Sequence, residues 1–229
     1  MKINDISFNK VGYLTTNISC QFKAELNDIF NAANSESEES WTYIYKYAHE
    51  QKDLPFTTAQ HKIDRIYSKC FNGFCKNEFS FFFRRLLNEG IEDFVISEAS
   101  KKAYAFCNSD IFKNLIENVT GRNIGDIDVF YINRFDRGCF LNTHTDRGEN
   151  IGIAINITKN WDPNFGGLTH ILDESRKNVI ETLTPKFGEM FIFDVSEMQV
   201  PHFVSMVAAN SKDKRMSIIA RYGKAKING

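Results

Sequence analysis

The sequence predicts an α+β protein with a mainly β core, a jelly roll backed by N-terminal helices. Three observations predict it. Apolar residues recur at steps of three and four up to about residue 127, and at steps of two beyond it. The second half divides into short alternating segments bounded by turn residues, at the spacing of an antiparallel sandwich or barrel. In 150–158 the alternation has a direction: Ile151, Ile153, Ile155 and Ile157 share one face, and Gly152, Ala154, Asn156 and Thr158 share the other. An isoleucine face packed on helices leaves a small, polar face lining the barrel, with room for a ligand.

In chain order, "NISCQFKAELNDIFNAA" places Ile18, Phe22, Leu26, Ile29 and Phe30 on one helical stripe, with Asn17 or Ser19 as the N-cap. The same spacing predicts helices in "ESWTYIYKYAHEQ", in "TAQHKIDRIYSKCF" and in "SDIFKNLIENVTG", the last opening on a Ser-Asp cap and closing at Gly121. In "NEFSFFFRRLL", Phe79, Phe81, Phe82 and Phe83 are too dense for one helical stripe; they are assigned to core packing, with some covering the barrel opening. Strands are expected over 128–135, 139–143, 150–158, 167–172, 178–183, 187–194, 201–206 and 214–222, joined by turns such as "DPNFGG", "DESRKN" and "TPKFGE". The chain reads as one domain, 1–229, in which 1–127 is mainly helical support and lid and 128–223 is the core. His49 and His61, on predicted helices, read as ordinary surface or core histidines.

Composition excludes several classes of function. A chain of 229 residues, 42% hydrophobic, buries a full core. Lys+Arg 28 against Asp+Glu 29, with no block of like charge, leaves no footprint for nucleic acid or an anionic membrane. The N-terminus lacks an apolar signal region and no long apolar run follows, so a cytoplasmic location without a membrane span is expected. The five cysteines, an odd number without zinc-site spacing, read as reduced thiols.

The chemistry gathers in the second half. His144 and Asp146 in "FLNTHTDRGEN" are two apart, so on a strand they project from one face and can hold one ion. An isolated pair of this kind is equally a surface histidine in a turn. His202 in "QVPHFVSMV" offers a third ligand on another predicted strand. Two imidazoles and a carboxylate with three open positions form the facial triad of non-haem Fe(II) oxygenases; zinc hydrolases use the same donors, so the set alone leaves the metal open. The next strand, "KRMSIIARYG", selects iron. Arg215, Ser217, Ile219 and Arg221 share a face, and a guanidinium with a hydroxyl two residues along can grip a carboxylate, which fits the distal end of 2-oxoglutarate.

Together "YINRFDRGCFLNTHTD", "IAINITKNWDPNFGGLTHIL", "PKFGEMFIFD", "PHFVSMV" and "KRMSIIARYG" resemble the Fe(II)/2-oxoglutarate-dependent dioxygenases of the prolyl-4-hydroxylase-like group, over residues 128–223. The resemblance implies a double-stranded β-helix of cupin-like form. It implies His144, Asp146 and His202 as the catalytic iron ligands, Arg215 and Ser217 as contacts of 2-oxoglutarate, O2 as the second cosubstrate and ascorbate as a stimulant. One position departs from the pattern: where family members often carry a tyrosine on the strand 150–158, this chain has Asn156, which donates the same hydrogen bond over a shorter reach. Trp161, Gly166 and Gly167 match the family as a turn and its packing. Halogenating relatives lack the carboxylate, so Asp146 favours hydroxylation.

The substrate implied first is a free amino acid or similar small carboxylate-bearing metabolite, oxidised at an unactivated C–H. Arg84, Arg85 and the inward-facing Arg221 are candidate partners for its carboxylate, and His170 for the mouth of the site. The plain alternatives are a solvated helix face for Arg84 and Arg85 and an ion pair with Asp126 or Asp128 for Arg221. Hydroxylation of a protein side chain such as prolyl ranks second. A non-catalytic metal-binding domain comes last, because all three ligands and Arg215 are present.

Overall fold

The period-two half folds as its pattern dictates, and the first half supplies strands as well as helices. In the computed structural model, residues 5–86, 97–198, 200–209 and 211–225 are described. Helix α1 (Asp5–Val11), strand β1 (Tyr13–Asn17) and helix α2 (Lys23–Ser35) precede a hairpin, β2 (Trp41–Tyr47) and β3 (Glu50–Leu54). Helix α3 (Gln60–Cys75), strand β4 (Phe81–Leu86) and helices α4 (Glu98–Cys107) and α5 (Asp110–Thr120) follow. The remaining strands are β5 (Ile124–Phe135), β6 (Phe140–His144), β7 (Ile151–Asn156), β8 (Thr169–Leu172), β9 (Val179–Leu183), β10 (Glu189–Asp194), β11 (His202–Val204) and β12 (Arg215–Lys224).

These strands curl into one antiparallel, jelly-roll-like sheet in the order β1-β10-β7-β12-β5-β4-β6-β11-β8-β9, with β2 paired to β4 and β3 hung on β2. The isoleucine face of β7 packs outward, as its pattern requires. Ile151, Ile153, Ile155 and Ile157 are fully buried with Leu26 and Ile29 of α2, Ala103 of α4 and Ile116 of α5. Burying each such side chain is worth about 1.5–3 kcal/mol, which fixes the register of the sheet, since a one-residue slip would turn every isoleucine into the barrel. Helix α5 has the expected ends: Ser109 Oγ accepts from the Phe112 N–H, and Gly121 closes it in the left-handed conformation at φ 69°.

The helical first half is corrected in three places. "ESWTYIYKYAHEQ" forms the hairpin β2–β3 instead of a helix. Its run of Trp, Thr, Tyr and Ile favours a pleated surface, and burial of Trp41, Thr42, Ile44 and Tyr45 overrides the apparent helical spacing. The phenylalanine cluster is strand β4, where Phe81, Phe82 and Phe83 are all buried because both faces of the strand are covered. Helix α2 begins at Lys23 without a side-chain cap; Asn17 ends β1 and accepts from Ser19 N–H instead. Cys70, Cys107 and Cys139 are buried thiols, while Cys20 and Cys75 are exposed. No helix among the described residues is long and apolar enough to cross a membrane.

Candidate metal and cosubstrate site

The curl of the sheet brings three residues of different segments to one point. His144 ends β6 and His202 opens β11, and the two are cross-strand partners in the β6–β11 ladder. Asp146 lies just beyond β6. The Nε2 atoms of His144 and His202 stand 3.7 and 3.6 Å from Asp146 Oδ2, and the donor atoms of all three residues lie within 4.8 Å of one another. Each imidazole is oriented the same way: Nδ1 of His144 donates to the Asn142 carbonyl and Nδ1 of His202 to the Val200 carbonyl, both at 2.9 Å. A carbonyl can only accept, so both rings carry the proton on Nδ1 and turn an Nε2 lone pair toward the common point.

Electrostatics prepare the same set for a cation. Burial, followed by the nearby His144, pulls the His202 pKa down to about 4, so the ring is neutral at pH 7. Burial opposes ionisation of Asp146. The neighbouring His144, Arg221 and His202 outweigh it and hold the carboxyl well below the usual range. Two imidazoles with Nε2 turned inward and a carboxylate on one side of a point are a donor set that fits a divalent ion.

The room that Gly152 and Ala154 leave is occupied by rings, which corrects the expectation of an open ligand space along that face. Phe191 and Phe193 lie opposite Ala154 and Gly152 and pack against His202, with centroids 5.4 and 5.2 Å from its ring. A Cβ on Gly152 would stand 2.5 Å from the Phe193 ring, so glycine is required by close approach.

On the interior face of β12, Arg215 is 3% exposed. Its Nε donates to the Gly167 carbonyl at 2.6 Å, Nη2 donates to Thr169 Oγ1 at 3.3 Å, and the guanidinium lies over the Phe135 ring at 4.5 Å. Nη1 is buried with no partner, and no acid pairs with this side chain among the described residues. Burial pulls its pKa down to about 9, the mark of a buried cation lacking its counter-ion. Thr169 sits two residues along β8 from Ile171, the cross-strand partner of His202, so the anchor of Arg215 is roughly 7 Å from that ligand's position along the strand. Ser217 and Asn156 come together beside it: Ser217 Oγ donates to Asn156 Oδ1 at 3.0 Å, and the Asn156 amide donates to the Glu189 carbonyl at 3.4 Å.

Residues 130–222 match the model of the 2OG-Fe(II) oxygenase superfamily. The matched segment is the β-rich half of the chain, from β5 into β12. No curated protein sequence matches the chain. Among solved structures it is similar to an oxidoreductase of the 2OG-Fe(II) oxygenase family from Burkholderia pseudomallei, at a TM-score of 0.60 and 16% identity over 96% of this chain and 88% of that one. It is also similar to a prolyl hydroxylase in complex with a hypoxia inducible factor oxygen degradation domain peptide fragment from Trichoplax adhaerens, at 0.55 and 13% over 97% and 88%. IDO from Bacillus thuringiensis follows at 0.50 and 12%, over 97% of each chain. At these identities the likeness is one of fold, and it extends through the first half of the chain.

Beside the triad opens a cleft of about 730 Å³ whose walls include Phe79, Phe81, Phe83, Tyr131 and Leu141, with Arg85, Arg147 and Arg221 among its cations. The residues proposed for a substrate separate here. Arg85 faces the cleft but is held by both oxygens of Asp53, with Nε and Nη2 at 3.1 and 2.8 Å. Arg84 points to the opposite face of β4, where it meets Glu38, Tyr43 and Asp136, so it lies outside the cleft. His170 also points out of the barrel: it stacks on Phe203 at 4.5 Å and contacts Thr182, while its neighbour Thr169 faces in. Arg221 reaches Asp146, and not Asp126 or Asp128, and also donates to the Arg147 carbonyl. Sequence reasoning missed Tyr131, whose pKa burial and the nearby Asp146 raise to about 12; Phe79, placed by sequence in core packing or at the barrel opening, is 40% exposed at the cleft and its ring stacks on His144 at 5.6 Å. It also gave Gly167 only a turn. A Cβ there would stand 3.0 Å from Arg215 Cδ, so this glycine, at φ 68°, lets the guanidinium seat against the backbone.

Proposed function

We propose that the chain is a cytoplasmic, single-domain (1–229) dioxygenase that hydroxylates an unactivated C–H of a free amino acid or a similar small metabolite. His144, Asp146 and His202 would hold Fe(II), and Arg215 would hold the distal carboxylate of 2-oxoglutarate. The observation that carries this reading is Arg215: a buried guanidinium with an unpartnered Nη1 and no acid calls for an anion inside the barrel that carries the metal-type donor set. Bound iron, with 2-oxoglutarate and O2, supplies the oxidising chemistry, in which the cosubstrate ends as succinate and carbon dioxide and one oxygen atom enters the substrate.

The chain's own residues bind and exclude. Arg215 neutralises the carboxylate and Phe135 covers its guanidinium, while Ser217 and Asn156, bonded to each other, present a polar patch beside it. Phe191 and Phe193 keep water from the His202 side of the triad. Phe81, Phe83 and Tyr131 offer an apolar wall to the substrate's carbon skeleton. Arg147 on the rim has no acidic partner among the described residues, which supports a substrate bearing a carboxylate. The test is mass spectrometry of a panel of amino acids and small acids incubated with the protein, Fe(II), 2-oxoglutarate and ascorbate. A gain of one oxygen in a panel member, with matching succinate, is expected. Oxidation confined to added peptides would transfer the reading to a protein side chain, and absence of iron-dependent succinate would end it.

A further inference from the structure

The two histidines and the aspartate of the triad are not held alike. Each imidazole is oriented by the carbonyl two residues before it in its own segment. Asp146 lies outside any strand, in 145–150, and no backbone N–H among the described residues donates to its carboxylate. Its one strong hydrogen-bond partner comes from across the barrel. Arg221 Nη2 donates to Asp146 Oδ1 in a short charge-assisted contact, and Nη1 donates to the Arg147 carbonyl at 3.2 Å, so one side chain grips both the carboxylate and the backbone that carries it. The other carboxylate oxygen, Oδ2, is the one that faces His144 and His202.

β12 is built to deliver this grip. The ladder to β5 shifts register between Arg221 and Tyr222, and a bulge of this kind re-aims a side chain. Across the β7–β12 ladder Arg221 lies opposite Gly152, and Gly148 approaches its Cδ, where a Cβ would stand at 3.8 Å. These two glycines leave the guanidinium a path to residues 146–147.

We infer that Arg221 is the positioning residue of the aspartate: it occupies Oδ1 so that Asp146 meets the metal through Oδ2 alone, leaving the remaining positions for cosubstrate and O2. Bound in this way, Arg221 is withdrawn from any substrate carboxylate. The inference rests on the ligand assignment under Proposed function, and its test separates the two. Binding of Co(II), which does not turn over, is measured by calorimetry and by the Co(II) d–d absorption for the wild type, Arg221→Ala and Arg221→Lys. Loss of an outer-sphere partner lowers metal affinity by about 10–100-fold. Arg221→Ala is expected to show that loss and a weaker d–d band, as the freed Oδ1 joins the coordination sphere. A few millimolar guanidinium, far below denaturing levels, is expected to restore both, and Arg221→Lys to fall between. Equal affinity and an unchanged band in the variants would overturn the role of Arg221. Absence of Co(II) binding by the wild type would instead overturn the ligand assignment. Should Arg221→Ala fail to fold, Arg221→Lys decides: a reduced affinity supports the inference and a wild-type affinity overturns it.

Discussion

Replacing Arg215 with Met keeps the length and removes the charge, and the structure sets both consequences. For the cosubstrate, a buried carboxylate that loses its cation should forfeit about 3–5 kcal/mol, which is at least 100-fold in Kd. At a 2-oxoglutarate concentration of about 100 times the wild-type Kd, bound ligand stabilises the wild type by about 2.7 kcal/mol, while a variant with 100-fold weaker binding gains about 0.4 kcal/mol. For a chain of this size that is roughly 5–10 °C of ligand-induced shift in Tm against about 1–2 °C.

For the ligand-free protein the expected effect is small, because two terms oppose. The folded pKa of Arg215 lies below the ordinary arginine value, so its charged form is disfavoured by folding at every pH below about 9, and methionine removes that burden. Against it stand the lost bonds to the Gly167 carbonyl and Thr169, about 1–3 kcal/mol for the groups left unsatisfied. Thermal melts of wild type and Arg215→Met, each with Co(II) and with or without 2-oxoglutarate, read both quantities. A full ligand shift in the variant would refute the anchor, and a collapse of the ligand-free Tm would show that Arg215 is structural.

Gly167→Ala should raise the KM for 2-oxoglutarate with less effect on kcat, since its Cβ would press on Arg215 Cδ at 3.0 Å; steady-state succinate production measures it. His144→Ala and His202→Ala should each abolish Co(II) binding in calorimetry and succinate production in the Fe(II) assay, one ligand of three being lost. Arg84→Met should lower Tm by breaking contacts with Glu38 and Asp136 while leaving turnover unchanged, because the side chain faces away from the cleft. Asp194 is buried, which opposes its ionisation, but Arg122 and the N–H groups of Ser196 and Glu197 prevail and hold its pKa at about 2. That depressed value contributes roughly 2–3 kcal/mol above the ordinary carboxylate pKa and is lost as pH falls from about 4 toward 2. Denaturant melts should therefore show Asp194→Asn destabilised at pH 7, with the gap closing across that window.

Strand β7 was legible because it keeps its isoleucine face on the helices and its small, polar face toward the barrel, so the period of two survives in the residues themselves. His144, His202 and Arg215 were legible because they lie on strands, where alternation says which way a side chain faces, whereas Asp146 lies beyond the end of β6. Strands β2 and β4 carry no such record. Trp41 and Thr42 are both buried, as are Phe81, Phe82 and Phe83, and a strand covered on both sides loses its alternation and can pass for part of a helix.

The fate of the arginines was hidden for a different reason. Whether Arg84, Arg85 or Arg221 is free for a substrate depends on which acid the closed sheet brings near. Those acids, Glu38, Asp53 and Asp146, sit on segments that sequence spacing cannot relate to them. Period and spacing state which face a side chain takes; only closure of the sheet states what waits on that face. The same logic marks Arg215 as the informative exception. Closure brought it a backbone carbonyl, a hydroxyl and a ring, and no acid among the described residues, which is the ground for proposing that the partner of this buried guanidinium arrives as a ligand.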